Sequence, residues 1–450
     1  MMEKVQFKIT DVASEGYGLG YVDNKVTFVP FTAPGDEILA EIVKKKKNFN
    51  EARLLEVLVP SPQRVAARCT HFGLCGGCKW QHLTYEAQLF WKNKFTVDAI
   101  ERIGKCVVDV KYPIVPSPKI FAYRNKMEFS FGWDNEKGSP VLGFHFPGRF
   151  DKVFHVESCY LQESLHNDIR HAFYEQAVRL QLSVYDRKTH KGFLRNLLIR
   201  KNRRDEWMVI LVISEQDREI IEKLFSPIVP LFPQVVSWYY VVNQKKNDSI
   251  YDLSPVLYAG QPFLEEKILH IHFKISPLSF FQVNPDQAEQ LYAYVVEEGE
   301  FSPDDVVYDV YTGTGTIALA IAPKVKRVVG IDNAYQSIED ARENALNNHI
   351  SNAIFIHADA VKAFNTQTFK KYGFPDVVIL DPPRSGLHPS IVKQFLTYSP
   401  RKIIYISCNP ATQARDIGML AESYKIKSIQ PFDMFPQTAH VENVSVLVKK

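Results

Sequence analysis

Short runs in which apolar and polar residues alternate at every second position occupy the first sixty residues: 5–9, 25–29, 37–44 and 51–59. A period of two marks a strand with one buried face, and Gly16, Gly18, Gly20 and Pro34-Gly35 punctuate the runs. This spacing predicts a small OB-like five-stranded barrel over residues 1–61, a frequent platform for single-stranded nucleic acid. Pro60-Ser61-Pro62 marks its end. Over residues 62–275 the rhythm is mixed and predicts a central α+β domain. It contains an amphipathic helix over 85–103, expected to pack on the domain that follows, and a strand-like stretch, 192–200, in which Arg195 and Arg200 interleave with apolar residues. From 276 to 450 strand and helix alternate regularly. Strand candidates are 306–310, 327–331, 353–357, 377–380, 403–406, 426–429 and 444–448, with helices such as 317–321 and 335–347 between them. Seven strands so spaced predict an α/β fold, a doubly wound Rossmann-like sheet.

Composition adds little until it is read locally. A chain of 450 residues exceeds one core, and 46% hydrophobic residues can fill several. A formal charge of +3 does not by itself announce nucleic acid. Residues 44–68, however, carry Lys44, Lys45, Lys46, Lys47, Arg53, Arg64 and Arg68 against only Glu51 and Glu56, a balance of +5. Residues 1–8 hold no apolar run of the secretory kind, and the most apolar stretch, 228–242, is interrupted by Pro230 and Pro233 and is too short to cross a bilayer. A cytoplasmic monomer with no membrane partner is therefore expected. In a reducing compartment the six cysteines (69, 75, 78, 106, 159 and 408) point to metal binding or catalysis before disulfides.

The strand 306–310 runs into Tyr311-Thr312-Gly313-Thr314-Gly315-Thr316 and then a helix. Glycines at such a turn let backbone approach a ligand closely. Asp332 ends the second strand, nineteen residues after Gly313, where an acid can accept hydrogen bonds from ribose hydroxyls. Asp359 and Asp381 follow the next two strands. A dinucleotide site would want a third glycine, but Thr316-Ile317-Ala318 stands in its place, so the series reads as an S-adenosylmethionine site.

Cys408 follows the run 402–407 directly, and Asp381-Pro382-Pro383 ends another strand twenty-seven residues earlier. Ligands of open α/β sheets bind beyond the carboxyl ends of the strands. A thiol there reads as a nucleophile, against the plainer reading of a buried packing cysteine. Glu442 stands just before the last strand. If that strand runs antiparallel, thiol and carboxylate converge on one rim. Cys69-x5-Cys75-Gly76-Gly77-Cys78 with a distant Cys159 forms a four-thiolate set, for which spacing alone favours zinc and an iron–sulfur cluster equally. Cys106 fits neither set and reads as a packing residue on the strand after the helix.

Phe280-Phe281-Gln282-Val283-Asn284, residues 309–315, Asp381-Pro382-Pro383-Arg384, Ser407-Cys408-Asn409-Pro410, Thr438-Ala439-His440-Val441-Glu442 and the fourfold cysteine pattern together resemble the RNA (uracil-5-)-methyltransferase family. The resemblance covers essentially the whole chain. It is specifically to the iron–sulfur, TRAM-containing branch typified by bacterial 23S rRNA enzymes. It implies that Gln282, Tyr311, Thr316, Asp332, Asp359 and Asp381 surround S-adenosylmethionine, that Cys408 is the nucleophile and that Glu442 accepts a proton. Some members carry Asn where this chain has Thr316. The resemblance also implies that Cys69, Cys75, Cys78 and Cys159 hold a 4Fe–4S cluster, and that the barrel is a TRAM domain. The chemistry agrees with the residues, because uracil C5 becomes nucleophilic once a thiolate adds at C6, after which a base must remove the C5 proton. Cys408 is then expected to have a lowered pKa, although a nearby Asp381 would oppose this.

For RNA contact the candidates are Lys45 and Lys46 in the basic run, Arg124 in Tyr123-Arg124-Asn125-Lys126, and Phe280, whose ring could stack on a splayed base. The favoured substrate is 23S rRNA, with a tRNA T-loop uridine as the alternative. The target base must leave its stack to reach the thiol. Two rivals remain. Amino-group methylation would want an aromatic where Arg384 stands, and a non-catalytic RNA-binding cluster protein would not need both Cys408 and Glu442.

Overall fold

The computed structural model describes residues 3–450, so Met1 and Met2 of the N-terminal stretch lie outside the described residues. The chain divides into two compact units, Met1–Ile120 with Ile379–Lys450, and Phe121–Val378.

In the first unit the strands Lys4–Val12, Gly18–Val22, Lys25–Val29, Glu37–Lys45 and Phe49–Val59 close into the expected five-stranded barrel. Ile9, Val29, Ile38, Ala40, Ile42 and Ala52 fill it. The second strand is the one the sequence pattern hides, since Gly18 and Gly20 look like turn residues. They are strand residues because side chains would not fit: a Cβ on Gly18 would meet the Thr32 hydroxyl, and one on Gly20 would lie 2.7 Å from the Phe7 ring. Close approach, not turning, is what these glycines supply.

The same unit carries four strands side by side, in the order Lys402–Ser407, Glu442–Lys449, Tyr424–Phe432 and Val108–Lys111. The second is antiparallel to both neighbours, and the fourth joins the edge in parallel. That edge strand comes from far upstream and adds one more to the seven expected strands. Cys106 precedes it instead of lying on it, and its thiol donates to the Gly104 carbonyl. The helix Tyr85–Asp98 is capped by Thr84, whose side chain accepts the Ala87 N–H, and it continues as a π-helical turn, Ala99–Ile103. It packs on the helix Pro410–Leu420 and on the strand Tyr424–Phe432.

The second unit contains a seven-stranded sheet ordered Val256–Gly260, Val235–Val242, Trp207–Ile213, Leu194–Lys201, Lys126–Asp134, Ser139–Phe146 and Arg149–His155. Every position of Leu194–Lys201 is buried, which explains the interleaved arginines. Arg195 donates to the carbonyls of Asn243, Lys245 and Asn247 and to Asp248, and Arg200 to those of Ser276 and Ser279. Both are structural tethers, satisfying the rule that a buried charge must be hydrogen-bonded. The unit also holds the parallel strands Ala353–His357, Arg327–Asp332 and Val306–Val310, in that order, with the helices Thr316–Ile321 and Tyr335–Asn347 after two of them. The strand Val377–Leu380 straddles the division. Among the described residues no helix is long and apolar enough to cross a membrane.

Candidate active site

Pairing of Lys402–Ser407 with Glu442–Lys449 sets Ser407 opposite Asn443. Cys408 follows Ser407 and Glu442 precedes Asn443, so antiparallel register carries the thiol and the carboxyl to one end of the two strands. Buried amides hold that end. Gln413 donates to the carbonyls of Tyr405 and Asn443, and Asn443 Nδ2 donates to Gln413 Oε1 at 2.8 Å. Asn409 caps the helix Pro410–Leu420, its side chain accepting the Ala411 N–H. Cys408 therefore stands just ahead of a helix N-terminus, where a negative charge is favoured.

Asp381 and Arg384 complete this cluster. The loop after Asp381 is pinned from below: Asn409 Nδ2 and Thr412 Oγ1 both donate to the Arg384 carbonyl, at 3.2 and 3.1 Å. Asp416, fully buried, accepts from the Leu387 N–H and the Tyr405 hydroxyl, each at 2.7 Å. Arg384 was noted in the sequence as part of the Asp381-Pro382-Pro383-Arg384 motif and as the residue that excludes an aromatic. Its guanidinium in fact stands near enough to Cys408 to favour negative charge on the sulfur.

The expected lowering of the Cys408 pKa does not occur. Burial, then Glu442 and Asp381, push the thiol up to about 11, against the opposing pull of Arg384. Glu442 is itself raised well above the usual carboxylate range by burial and by Asp381, again against Arg384. The opposing effect of Asp381 is the one foreseen from its charge. His440, part of the motif before Glu442, keeps an exposed edge, yet burial and the cations Arg384, Lys79 and Lys92 bring it down to about 4. It is therefore a neutral imidazole at pH 7.

The second unit assembles the glycine-rich turn. Tyr311 adopts φ 71° and its N–H reaches the Ile331 carbonyl at 2.8 Å. The Gly313 N–H donates to Asp332 Oδ2 at 3.0 Å and the Ala334 N–H to Asp332 Oδ1 at 2.8 Å. Each carboxylate oxygen keeps a lone pair for a ribose hydroxyl. Gly313 has φ 55° and nothing within 4 Å of where a Cβ would lie, so the turn faces open space. Gly315, at φ 80°, instead backs onto Phe355 and Ala341. Asp309, missed in the sequence as a site residue, is buried beneath the turn, accepting from the Thr312 hydroxyl at 2.6 Å and the Ala318 N–H, with burial raising it to about 6. Its place at a strand end, three residues before Thr312, was the available signal. The Ala358 N–H donates to the Asp332 carbonyl, which brings Asp359 to the neighbouring strand end, where it caps a short helix through Val361. Thr316 opens its helix with its hydroxyl 3.4 Å from that of Thr314. Gln282 lends its carbonyl to Asn125 Nδ2 at 2.9 Å and is half-buried. These residues fit an adenosyl ligand in chemistry: an open turn, backbone donors and carboxylates. Asp381 falls in the other unit, beside Cys408.

Phe280 is 61% exposed whereas Phe281 is buried against Phe273, which separates the stacking candidate from the core residue. Arg124 is half-buried, with Nε 3.5 Å from the Lys126 carbonyl. Lys45 is exposed and ion-paired to Glu3 at 2.5 Å, and Lys46 is exposed. Cys69, Cys75 and Cys78 share one loop in which the Gly77 N–H donates to the Cys75 sulfur at 3.4 Å and burial raises the Cys75 thiol. Cys159 lies in the second unit, its N–H on Asn167. Among the described residues no three His, Cys, Asp or Glu side chains are gathered closely enough to hold a metal ion.

Comparison with known proteins adds the decisive observation. Over 98% of its length the chain is 42% identical to an uncharacterized RNA methyltransferase of Porphyromonas gingivalis, covering 99% of it. Residues 263–450 match the tRNA (uracil-5-)-methyltransferase family, and residues 5–63 match the TRAM domain of tRNA (uracil(54)-C(5))-methyltransferase. The chain belongs to the RNA uracil-5-methyltransferase family. A Bacteroides thetaiotaomicron relative, also an uncharacterized RNA methyltransferase, is 40% identical over 97% of the chain and 99% of its own. The crystal structure of Pyrococcus abyssi tRNA (uracil-54, C5)-methyltransferase in complex with S-adenosyl-L-homocysteine superposes with a TM-score of 0.79 at 32% identity, covering 99% of this chain and 100% of that one. The barrel is accordingly a TRAM domain, the C-terminal part has the methyltransferase fold, and the protein is an S-adenosylmethionine-dependent RNA uracil-5-methyltransferase.

Proposed function

We propose that the protein methylates C5 of a specific uridine with Cys408 as nucleophile and Glu442 as proton acceptor. The supporting observation is the strand register that sets these two side chains at one end of neighbouring strands, with the Arg384 cation nearby. The Cys408 sulfur, as thiolate, bonds to C6 of the extruded uracil, and the C5–C6 electron pair moves into the ring as an enolate. S-adenosylmethionine supplies an electrophilic methyl group. C5 takes that methyl, Glu442 removes the C5 proton, and the C6–S bond breaks to return the thiolate. Gln282, Tyr311, Thr316, Asp332, Asp359 and Asp381 are proposed to hold the donor. The Asp332 carboxylate would take the ribose hydroxyls, and the open face of Gly313 would leave room for the chain. Phe280, Arg124, Lys45 and Lys46 are proposed to meet RNA.

RNA carrying 5-fluorouridine at the target tests the mechanism, because fluorine cannot leave as a proton does. The wild type should be trapped as a covalent adduct that requires S-adenosylmethionine and is lost in Cys408→Ala. Equal trapping by Cys408→Ala would sink the covalent reading.

As substrate we favour 23S rRNA, on the joint presence of TRAM and the four-cysteine pattern. The full-length likeness to a tRNA uracil-54 enzyme supports tRNA as the second reading. Mapping 5-methyluridine in rRNA and tRNA of a deletion strain separates them. For Cys69, Cys75, Cys78 and Cys159 a 4Fe–4S cluster is proposed on spacing and resemblance alone, with no step of the reaction passing through it. Anaerobically purified protein should then contain about four irons per chain, and iron-free, fully active protein would overturn it.

A further inference from the structure

The helix Tyr85–Asp98 buries polar side chains on the face that should be apolar. Gln88 is 1% exposed and Lys92 0%, one turn apart, and neither has a part in the reaction above. Both grip a single segment. Lys92 Nζ donates to Asp433 Oδ1 at 2.5 Å and to the Phe435 carbonyl at 3.0 Å. Gln88 Oε1 accepts the Gln437 N–H at 2.9 Å, while its Nε2 donates to Gln437 Oε1, and to the Trp80 and Leu83 carbonyls, each at 3.1 Å. Gln437 has φ 70°, a conformation that a residue with a side chain keeps only when its surroundings over-determine it. Its carbonyl takes two further N–H groups, from Lys79 and Trp80, both at 3.0 Å. A fully buried lysine–aspartate pair is a poor source of stability. What it supplies here is a fixed path for the segment 433–437, between the strand Tyr424–Phe432 and the strand that opens with Glu442.

We infer that Gln88 and Lys92 are positioning residues that set the Glu442 carboxyl beside Cys408 by clamping the two ends of this segment. The inference rests on the reading of Glu442 as proton acceptor. It predicts damage to one step only. Adduct formation on fluorouridine RNA needs Cys408 and methyl transfer but not proton removal, whereas tritium release from C5-tritiated uridine RNA needs both.

Full-length Gln88→Met and Lys92→Met, with Glu442→Gln as the standard, are to be assayed by both readouts and by thermal unfolding. In the two clamp variants, trapping should stay within about threefold of wild type while tritium release falls at least about tenfold, and ordinary uridine RNA should accumulate as a methylated covalent adduct. If Lys92→Met fails to fold because Asp433 is left unpaired, Lys92→Met combined with Asp433→Asn removes both charges and should show the same split. Parallel losses in both readouts, or no loss in either, overturn the clamp. If Glu442→Gln itself shows no split, it is the reading of Glu442 that fails. A split in Glu442→Gln without one in Gln88→Met and Lys92→Met rejects the clamp alone.

Discussion

Replacing Arg384 by Met should make Cys408 a slower nucleophile without moving it. The guanidinium is the cation that favours the thiolate, against burial, Glu442 and Asp381. A neighbouring opposite charge moves a pKa by about 1–3 pH units, which is about 10- to 1000-fold in thiolate population at fixed pH. Because Arg384 is exposed, water screens it, and the lower end, about tenfold, is the expectation. The loop carrying it should survive, since its anchors are the Arg384 carbonyl and Asp416 and not the side chain. Iodoacetamide alkylation of Cys408, with Cys408→Ala subtracting the other five cysteines, reads the thiolate directly. A thiol at about 11 leaves about one thiolate in a thousand at pH 8. The wild-type rate should therefore climb about tenfold per pH unit with no plateau up to pH ~10, and Arg384→Met should follow a parallel line about one unit higher in pH. A wild-type plateau below pH ~9, or superposed profiles for the two proteins, would refute the reasoning.

Two further changes probe the cofactor turn and the barrel. Asp332→Ala removes the acceptor for Gly313 and Ala334 as well as the proposed ribose contact. Binding of S-adenosylhomocysteine, measured by calorimetry, should weaken about 10- to 100-fold, and unchanged affinity would remove Asp332 from the site. Gly18→Ala forces a methyl group onto the buried Thr32 hydroxyl, itself bonded to the Val29 carbonyl at 2.9 Å. Overpacking of this kind costs about 1–3 kcal/mol, read as a lower urea midpoint for the isolated barrel signal or the whole chain, whereas Gly77→Ala, with a single contact at 3.5 Å, should be far milder.

What the sequence made legible was whatever follows from local period. Buried parallel strands announce themselves as apolar runs, and the helix over 335–347 was bounded to the residue. The strand Gly18–Val22 was hidden because its glycines answer to Thr32 and Phe7, contacts set by closure of the barrel. The edge strand Val108–Lys111 was hidden because its partner, Tyr424–Phe432, lies some three hundred residues away. The same holds in the site. Cys408, Asp381 and Glu442 could be picked out because each stands at a strand end, where the fold concentrates chemistry. The thiol's pKa could not, since it is the balance of burial and three neighbouring charges that only the tertiary structure assembles.

That balance implies an order of protonation. Charge on Glu442 raises the cost of charge on Cys408, and Asp381 adds to the cost at both. The repulsion between the two charges is mutual, so the thiolate that attacks C6 forms more readily while Glu442 is protonated. Once the sulfur is bonded to C6 it is a neutral thioether, and this repulsion on Glu442 disappears. Covalent addition thus removes the thiolate's opposition to a charged Glu442, so the nucleophilic step prepares the base it later needs. Burial still favours a basic carboxylate, which suits removal of a weakly acidic proton. Iodoacetamide alkylation of Cys408 in Glu442→Gln should therefore follow a profile displaced to lower pH than the wild type. Superposed profiles would mean that the charge of Glu442 does not govern the sulfur, and the ordering would fall.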